Sequence, residues 1–172
     1  MALTKVTGAG VEGLSLSSSS TALSIDANGQ ITKPLQPAFS VHKNGTDQDN
    51  FATETTVAVT FSHERFDVNG DFASNTFTAP VTGKYQLMVN LRLAAVDSAA
   101  GYYVISIATS NETYRHIFDP DFGQDAVYWT ASVNVLADMD ANDTASIKWW
   151  QSGGSTQVDI STSSYFTGYL AC

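Results

Sequence analysis

The feature that most constrains this chain is an alternation of apolar and polar residues with a period of two. It begins near Gln36 and recurs in short runs up to Leu170, most cleanly over 56–61, 85–93 and 127–136. A period of two places successive side chains on opposite faces of a β-strand. Gly, Asn, Asp and Ser separate the runs, and no window combines a helical period with caps. The sequence therefore predicts an all-β, antiparallel β-sandwich of about ten strands.

Composition indicates that the surface of this sandwich is polar but mostly uncharged. Of the 172 residues, 43% are apolar and only 15% are charged, so uncharged polar residues must cover much of the surface. The net charge is −9, and the eight basic residues are scattered along the chain. Because nucleic acids and anionic membranes are bound by clustered cations, we expect neither as a partner. The single cysteine, Cys172, cannot form an internal disulfide.

The first 33 residues differ from the rest, because they are rich in Gly and Ser. We assign residues 1–33 to an N-terminal arm and residues 34–172 to a head, since a segment of this composition buries too little apolar surface to fold alone. Within the arm, Asn28-Gly29 lies between short alternating runs and predicts a β-hairpin, because both residues tolerate a positive φ. We expect the arm to attach the protein to a partner through apolar side chains, and the candidates are Leu14, Leu16, Leu23, Ile25 and Ile31.

A spaced pattern of aromatic residues, Gly and Asp occupies the stretch from Phe61 to Val89. It resembles the signature of the complement-type globular head, a jelly roll of the tumour necrosis factor group. The positions that carry the resemblance are Phe61, Asp67, Phe72, Phe77, Gly83 and Tyr85.

The sequence departs from that signature at a few points. The gap between Phe72 and Phe77 is two residues shorter than is usual in the family, and Leu87 and Val89 stand where aromatics are expected. Asn75 stands where the family often has Gly, and Asn is the next best residue for a positive φ. The opening and closing strands of the family are similar to Pro37–Val41 and Phe166–Leu170.

The resemblance implies a jelly roll that assembles as a homotrimer, with aromatic and apolar sheet faces packed about a three-fold axis. Aromatic residues are enriched at interfaces, and they also commonly pack in the core of a single subunit. The candidates for either role are Tyr85, Tyr102, Tyr103, Trp129, Trp149 and Trp150.

Catalytic and cofactor chemistry find no support in the sequence. The three histidines lie in no nucleophile or metal-ligand spacing, so we expect neither an enzyme nor a bound cofactor. Two acidic loops have the spacing of a calcium site, since hard cations prefer several oxygen ligands. The alternative for each loop is a solvated turn, because Asp is a common turn former. The candidate ligands are Asp119, Asp121 and Asp125 in one loop and Asp138, Asp140 and Asp143 in the other.

The arm in front of such a head resembles phage fibre and virion proteins. Residues 1–14 also lack the basic start and apolar core of a signal peptide, so we expect assembly in the host cytoplasm and exposure on the particle surface. The arm would bind other virion proteins. The head would recognise a host glycan or surface protein through loops around 95–101, 119–126 and 151–157. Two alternatives stay open: a capsid decoration (cement) trimer that stabilises the shell, and a secreted recognition or signalling head of a cellular organism.

Overall fold

The computed structural model describes residues 23–172, and these residues form fourteen β-strands and no helix. The all-β class expected from the alternation is therefore confirmed. None of the described residues belongs to a helix long and apolar enough to cross a membrane. The strands are β1 (Ser24–Ile25), β2 (Ile31–Thr32), β3 (Ala38–His42), β4 (Val57–Ala58), β5 (His63–Asp67), β6 (Phe72–Ala73), β7 (Thr76–Thr78), β8 (Gly83–Val96), β9 (Tyr102–Thr109), β10 (Thr113–Phe118), β11 (Ala126–Met139), β12 (Thr144–Ser152), β13 (Asp159–Ile160) and β14 (Tyr165–Leu170).

The chain divides into two compact units, one that ends at Gln36 and one that spans Pro37–Cys172. The division lies slightly after the boundary at Lys33 that composition suggested.

The first unit contains the expected hairpin, in which β1 pairs with β2. The carbonyl of Asp26 accepts the backbone N–H of Gly29 at 3.1 Å, and the backbone N–H of Asp26 donates to the carbonyl of Gln30 at 3.0 Å. Gly29 has a φ of +80°, whereas Asn28 keeps an ordinary φ. The loop is therefore a type I turn followed by a glycine bulge, the usual form of a three-residue hairpin connection. The Asp26 carboxylate supports it by accepting the N–H groups of Asn28 and Gln30 at 2.8 Å each.

The second unit is a sandwich of two antiparallel sheets. The front sheet has the order β11-β8-β14-β3-β5, with β13 paired to β8. The back sheet has the order β10-β9-β12-β7-β6, with β4 paired to β12. Neighbouring strands are mostly distant in sequence, as the crossovers of a jelly roll require. The jelly-roll prediction is confirmed. The second unit has twelve strands, and the two-residue strands β6 and β13 account for the excess over ten.

The core lies between the sheets and follows the alternation of the strands. In β8, Tyr85, Leu87 and Val89 are completely buried, while the residues between them point outward. Leu87 and Val89 therefore keep the apolar role of the aromatics that the signature would place there. The Phe39 ring packs beside them. Its centroid lies 4.7 Å from that of Phe77, and 5.4 and 4.9 Å from those of Phe72 and Phe166.

The turn between β6 and β7 confirms the expectation for Asn75. This residue has a φ of +63°, and its side-chain oxygen accepts the backbone N–H of Phe61 at 2.7 Å. The Asp67 carboxylate accepts the N–H groups of Asp71 and Phe72 at 3.0 and 2.9 Å. The polar residues of the motif thus close the loops around the aromatic core.

Candidate functional site

The outer side of the front sheet presents apolar side chains to solvent, and we call it the front face. Strand alternation turns these side chains away from the core, and their exposed fractions lie between 38% and 57%. In an antiparallel sheet the residues of one face lie next to their cross-strand partners, so the exposed groups form one surface. The members are Phe66 on β5, Met88 on β8, Tyr128 and Leu136 on β11, and Tyr169 on β14.

The centre of the front face carries no charge. Gln86 lies between Leu136 and Tyr169 in the strand register, and its amide donates to the carbonyl of Val135 at 3.2 Å. The amide of Asn90 donates to the Ser132 hydroxyl at 2.9 Å.

Charges on this face lie toward the ends of the strands. Lys84 pairs with Asp138 at 2.6 Å at one end. Arg92 stacks over the ring of Tyr128, 4.0 Å from its centroid, toward the other end. The middle of the face can therefore be covered without burying an unpaired ion, which would be costly.

Three of the six candidate aromatics lie in the core of a single chain. Tyr85, Tyr103 and Trp149 are completely buried, so these three belong to the core of the subunit and not to an exposed face. The Tyr85 hydroxyl donates to the carbonyl of Val81 at 2.7 Å. Burial is the main cause that raises the pKa of Tyr103 to about 12, so this phenol stays neutral, and it donates to the carbonyl of Asp97 at 3.0 Å.

The other three candidates reach the surface, but away from the front face. Trp129 packs on Phe122 at a centroid distance of 4.9 Å, at the edge strand β11. Tyr102 and Trp150 contact each other, at 5.1 Å, on the outer side of the back sheet. Sequence reasoning therefore missed the residues of the front face. They occupy the positions of each alternating run that face away from the core, where polar residues are usual. The apolar Met88 at such a position, next to the buried Leu87, was the signal that could have identified this face.

The three loops expected to recognise a ligand do come together. Asp97 accepts the backbone N–H of Ser155 at 2.5 Å and the hydroxyl of Ser155 at 2.7 Å. Asp125 accepts the backbone N–H and hydroxyl of Ser98 at 2.9 and 2.8 Å, and its other oxygen accepts the amide of Gln157 at 3.0 Å. Residues 95–101, 119–126 and 151–157 thus form one hydrogen-bonded loop cluster.

These hydrogen bonds favour the ionised carboxylates of the cluster. The backbone N–H of Ser155 is the largest influence that holds the pKa of Asp97 below its usual range. The amide of Gln157, followed by the donors of Ser98, lowers the pKa of Asp125. Both carboxylates therefore act as negatively charged links between loops.

The first acidic loop is not gathered into a metal site. Asp125 is engaged by Ser98 and Gln157, as above, while Asp119 accepts the backbone N–H of Asp121 at 3.1 Å in a local turn. Within residues 23–172, no three His, Cys, Asp or Glu side chains lie close enough to hold a metal ion.

The second acidic loop is also engaged in protein contacts. Asp138 pairs with Lys84 on the front face. Asp143 accepts the backbone N–H of Asp140 at 2.8 Å and the amide of Asn111 at 2.6 Å. Its carboxylate therefore ties the β11–β12 turn to the neighbouring turn. The structure brings neither trio together around a calcium ion, because hydrogen bonds and an ion pair direct the oxygens elsewhere.

The candidate attachment residues fall into two groups. Leu14 and Leu16 lie outside the described residues. Leu23, Ile25 and Ile31 lie in or beside the hairpin and are 50–63% exposed.

These features define the class of jelly-roll head domains: two antiparallel sheets, a partly apolar outer face that is uncharged at its centre, and a hydrogen-bonded loop cluster. The family model of the C1q domain matches residues 38–171. The chain therefore belongs to the C1q domain family, as the resemblance of the Phe61–Val89 motif implied. C1q-type domains are globular recognition modules that are typically trimeric, and they are not enzymes.

Solved structures support the same fold. The globular domain of the zebrafish complement 1qA protein has 22% identity and a TM-score of 0.59, and the match covers 80% of this chain and 98% of that one. Murine APRIL has 11% identity and a TM-score of 0.55, and the match covers 78% of this chain and 98% of that one. No curated protein gives a significant match.

Proposed function

We propose that this chain is a non-enzymatic recognition protein of a phage virion, in which a homotrimeric head is exposed and the N-terminal arm attaches it to the particle. The front face is the observation that carries the proposal. Its strands β8, β11 and β14 expose Met88, Leu136 and Tyr169 without a neighbouring unpaired charge. Copies of the head packed about a three-fold axis would cover these groups, and each square ångström of apolar surface removed from water contributes about 25 cal/mol.

The hairpin of the arm supports an attachment role. All four residues of its two strands are exposed, including Ile25 and Ile31. An isolated two-stranded hairpin is marginally stable in water, so binding to another protein would stabilise it and cover its apolar side chains. Three arms on one trimer would attach it through three weak contacts, which raises the effective concentration of each.

The first experiment is the solution mass of the purified chain, measured by multi-angle light scattering. We expect the mass of three chains. A double variant, Met88→Lys with Leu136→Lys, should give the mass of one chain with an unchanged circular dichroism spectrum, because both side chains point away from the core. The matched control is Ile117→Lys on the outer side of the back sheet, which should remain trimeric. A single-chain mass for the unaltered protein would contradict the trimer.

The virion assignment has its own test. Mass spectrometry of particles purified from the native producer should find peptides of this chain, and antibodies against the head should label intact particles. Secretion of the chain into particle-free medium would contradict the assignment and favour a cellular recognition head.

A further inference from the structure

The outer side of the back sheet contains a groove of about 440 Å³, which we call the back groove. Its floor is the middle of β9, where the outward side chains are the small Val104, Ser106 and Ala108. The neighbouring strands β12 and β10 present larger side chains on both sides. The groove therefore results from a row of small residues paired between two rows of large ones. Its volume lies within the range of small-ligand sites.

Two cations face each other across the floor of the back groove. Lys148 pairs with Ser106 in the strand register, and Ser106 pairs with Arg115. Two strand spacings place the backbones of the two cations about 10 Å apart, with one small hydroxyl between them. Among the residues that the structure describes, they are the only charged ones that line the groove. Within residues 23–172 neither forms an ion pair, although the chain carries a net charge of −9.

One end of the groove is aromatic and the remainder carries hydroxyl groups. The rings of Tyr102 and Trp150 lie 5.1 Å apart with an interplanar angle of 38°, and Tyr102 is 41% exposed. The hydroxyl-bearing residues Thr56, Ser106 and Thr113 line the groove beside these rings and the two cations. Flat apolar surface, hydroxyl groups and positive charge therefore occur together within one cavity.

We propose that the back groove binds a saccharide that carries a carboxylate. A sugar ring offers an apolar face that packs on aromatic rings and hydroxyl groups that pair with Thr and Ser. A carboxylate would pair with Arg115 and Lys148, because guanidinium and ammonium groups form strong charge-assisted hydrogen bonds with carboxylates. A neutral sugar would leave both cations without a partner, and an apolar peptide would leave the hydroxyl groups without one. The inference rests on the proposed recognition function and names its ligand class.

The test uses the full chain on an array of saccharides that end in sialic or uronic acid, each printed beside its neutral counterpart. We expect binding to the acid-terminated saccharides, and weaker binding as the salt concentration rises. Arg115→Gln and Lys148→Gln should each weaken it about tenfold or more, since each removes a charge-assisted contact. Tyr102→Ala, which alters an exposed ring, should weaken it as well. The matched control is Arg65→Gln on the front sheet, which should bind as the unaltered chain does.

Several outcomes would overturn the proposal: equal binding to neutral saccharides, preference for sulfated saccharides or peptides, no binding, or unchanged binding by all three groove variants. Thermal melting of each variant identifies any that has lost its fold. A three-chain mass without saccharide binding would reject the back groove and keep the trimer. A single-chain mass with retained binding would reject the trimer and keep the back groove.

Discussion

At the scale of single residues, Gly168 in β14 allows the closing strand to pack against the core. A Cβ atom at this position would lie 2.7 Å from Cδ2 of Leu87 and 2.8 Å from Cε1 of Phe39. Both neighbours are completely buried, so they have little room to move. We expect Gly168→Ala to lower the free energy of unfolding by about 1–3 kcal/mol, as measured by denaturant titration.

A glycine that has room for a Cβ atom serves as the control for that measurement. A Cβ atom at Gly101 would make ordinary contacts of 3.6–3.7 Å with Ser152. Gly101→Ala should therefore change stability by less than about 0.5 kcal/mol. Equal effects of the two substitutions would contradict the close packing of β14 on β8.

At the scale of secondary-structure elements, the pairing of β3 with β5 places His42 opposite His63. His42 also stacks on Tyr165 at a centroid distance of 5.6 Å. Partial burial lowers the pKa of His42 below its ordinary 6.5, and the positive charges of Arg65 and His63 lower it further. The register of the two strands thus places His42 beside positive charge, which disfavours protonation of His42.

This arrangement predicts how stability depends on pH. The unfolded chain binds a proton at His42 more readily than the folded chain does, so the free energy of unfolding falls as pH drops below about 6.5 and levels off below the folded pKa. We expect thermal melts between about pH 7.5 and 5.5 to show this loss. His42→Gln should reduce the slope, whereas His116→Gln, on β10 of the other sheet, should retain it. An unchanged slope in His42→Gln would contradict the role of this pair.

At the scale of the whole molecule, the division after Gln36 predicts separable roles for the arm and the head. Deletion of residues 1–36 should leave a folded trimer, because β3 and all core residues in the described part of the chain lie in Pro37–Cys172. Its melting temperature should stay within a few degrees of that of the full chain, while binding to the particle in a sedimentation assay is lost. The full-length double variant Ile25→Asp with Ile31→Asp should lose binding equally. An unfolded or monomeric truncated head would show that the arm is part of the fold.

Sequence alone was enough to establish most of the longer strands, the class of fold and several local details, although it did not predict β5 (His63–Asp67) and extended β4 beyond Val57–Ala58. Alternation identifies which residues share a face, because side chains of a strand point to opposite sides. Local chemistry accounts for the positive φ of Asn75 and the hairpin around Gly29, since each depends on a few adjacent residues. The motif at Phe61–Val89 likewise indicated the family.

Long-range pairing decided the rest. Alternation does not say which face meets the other sheet, so the aromatic residues Tyr103 and Trp149, which became core, could not be separated from the surface Tyr102 and Trp150. The acidic loops have similar sequence patterns, which do not separate a metal site from a hydrogen-bonded turn. Only the tertiary structure places Ser98 and Gln157 beside Asp125, so that they donate hydrogen bonds to its carboxylate. The back groove exists because β12, β9 and β10 align small residues between large ones. The pairing of β9 with β12 joins positions far apart in sequence, and only the tertiary structure sets their register.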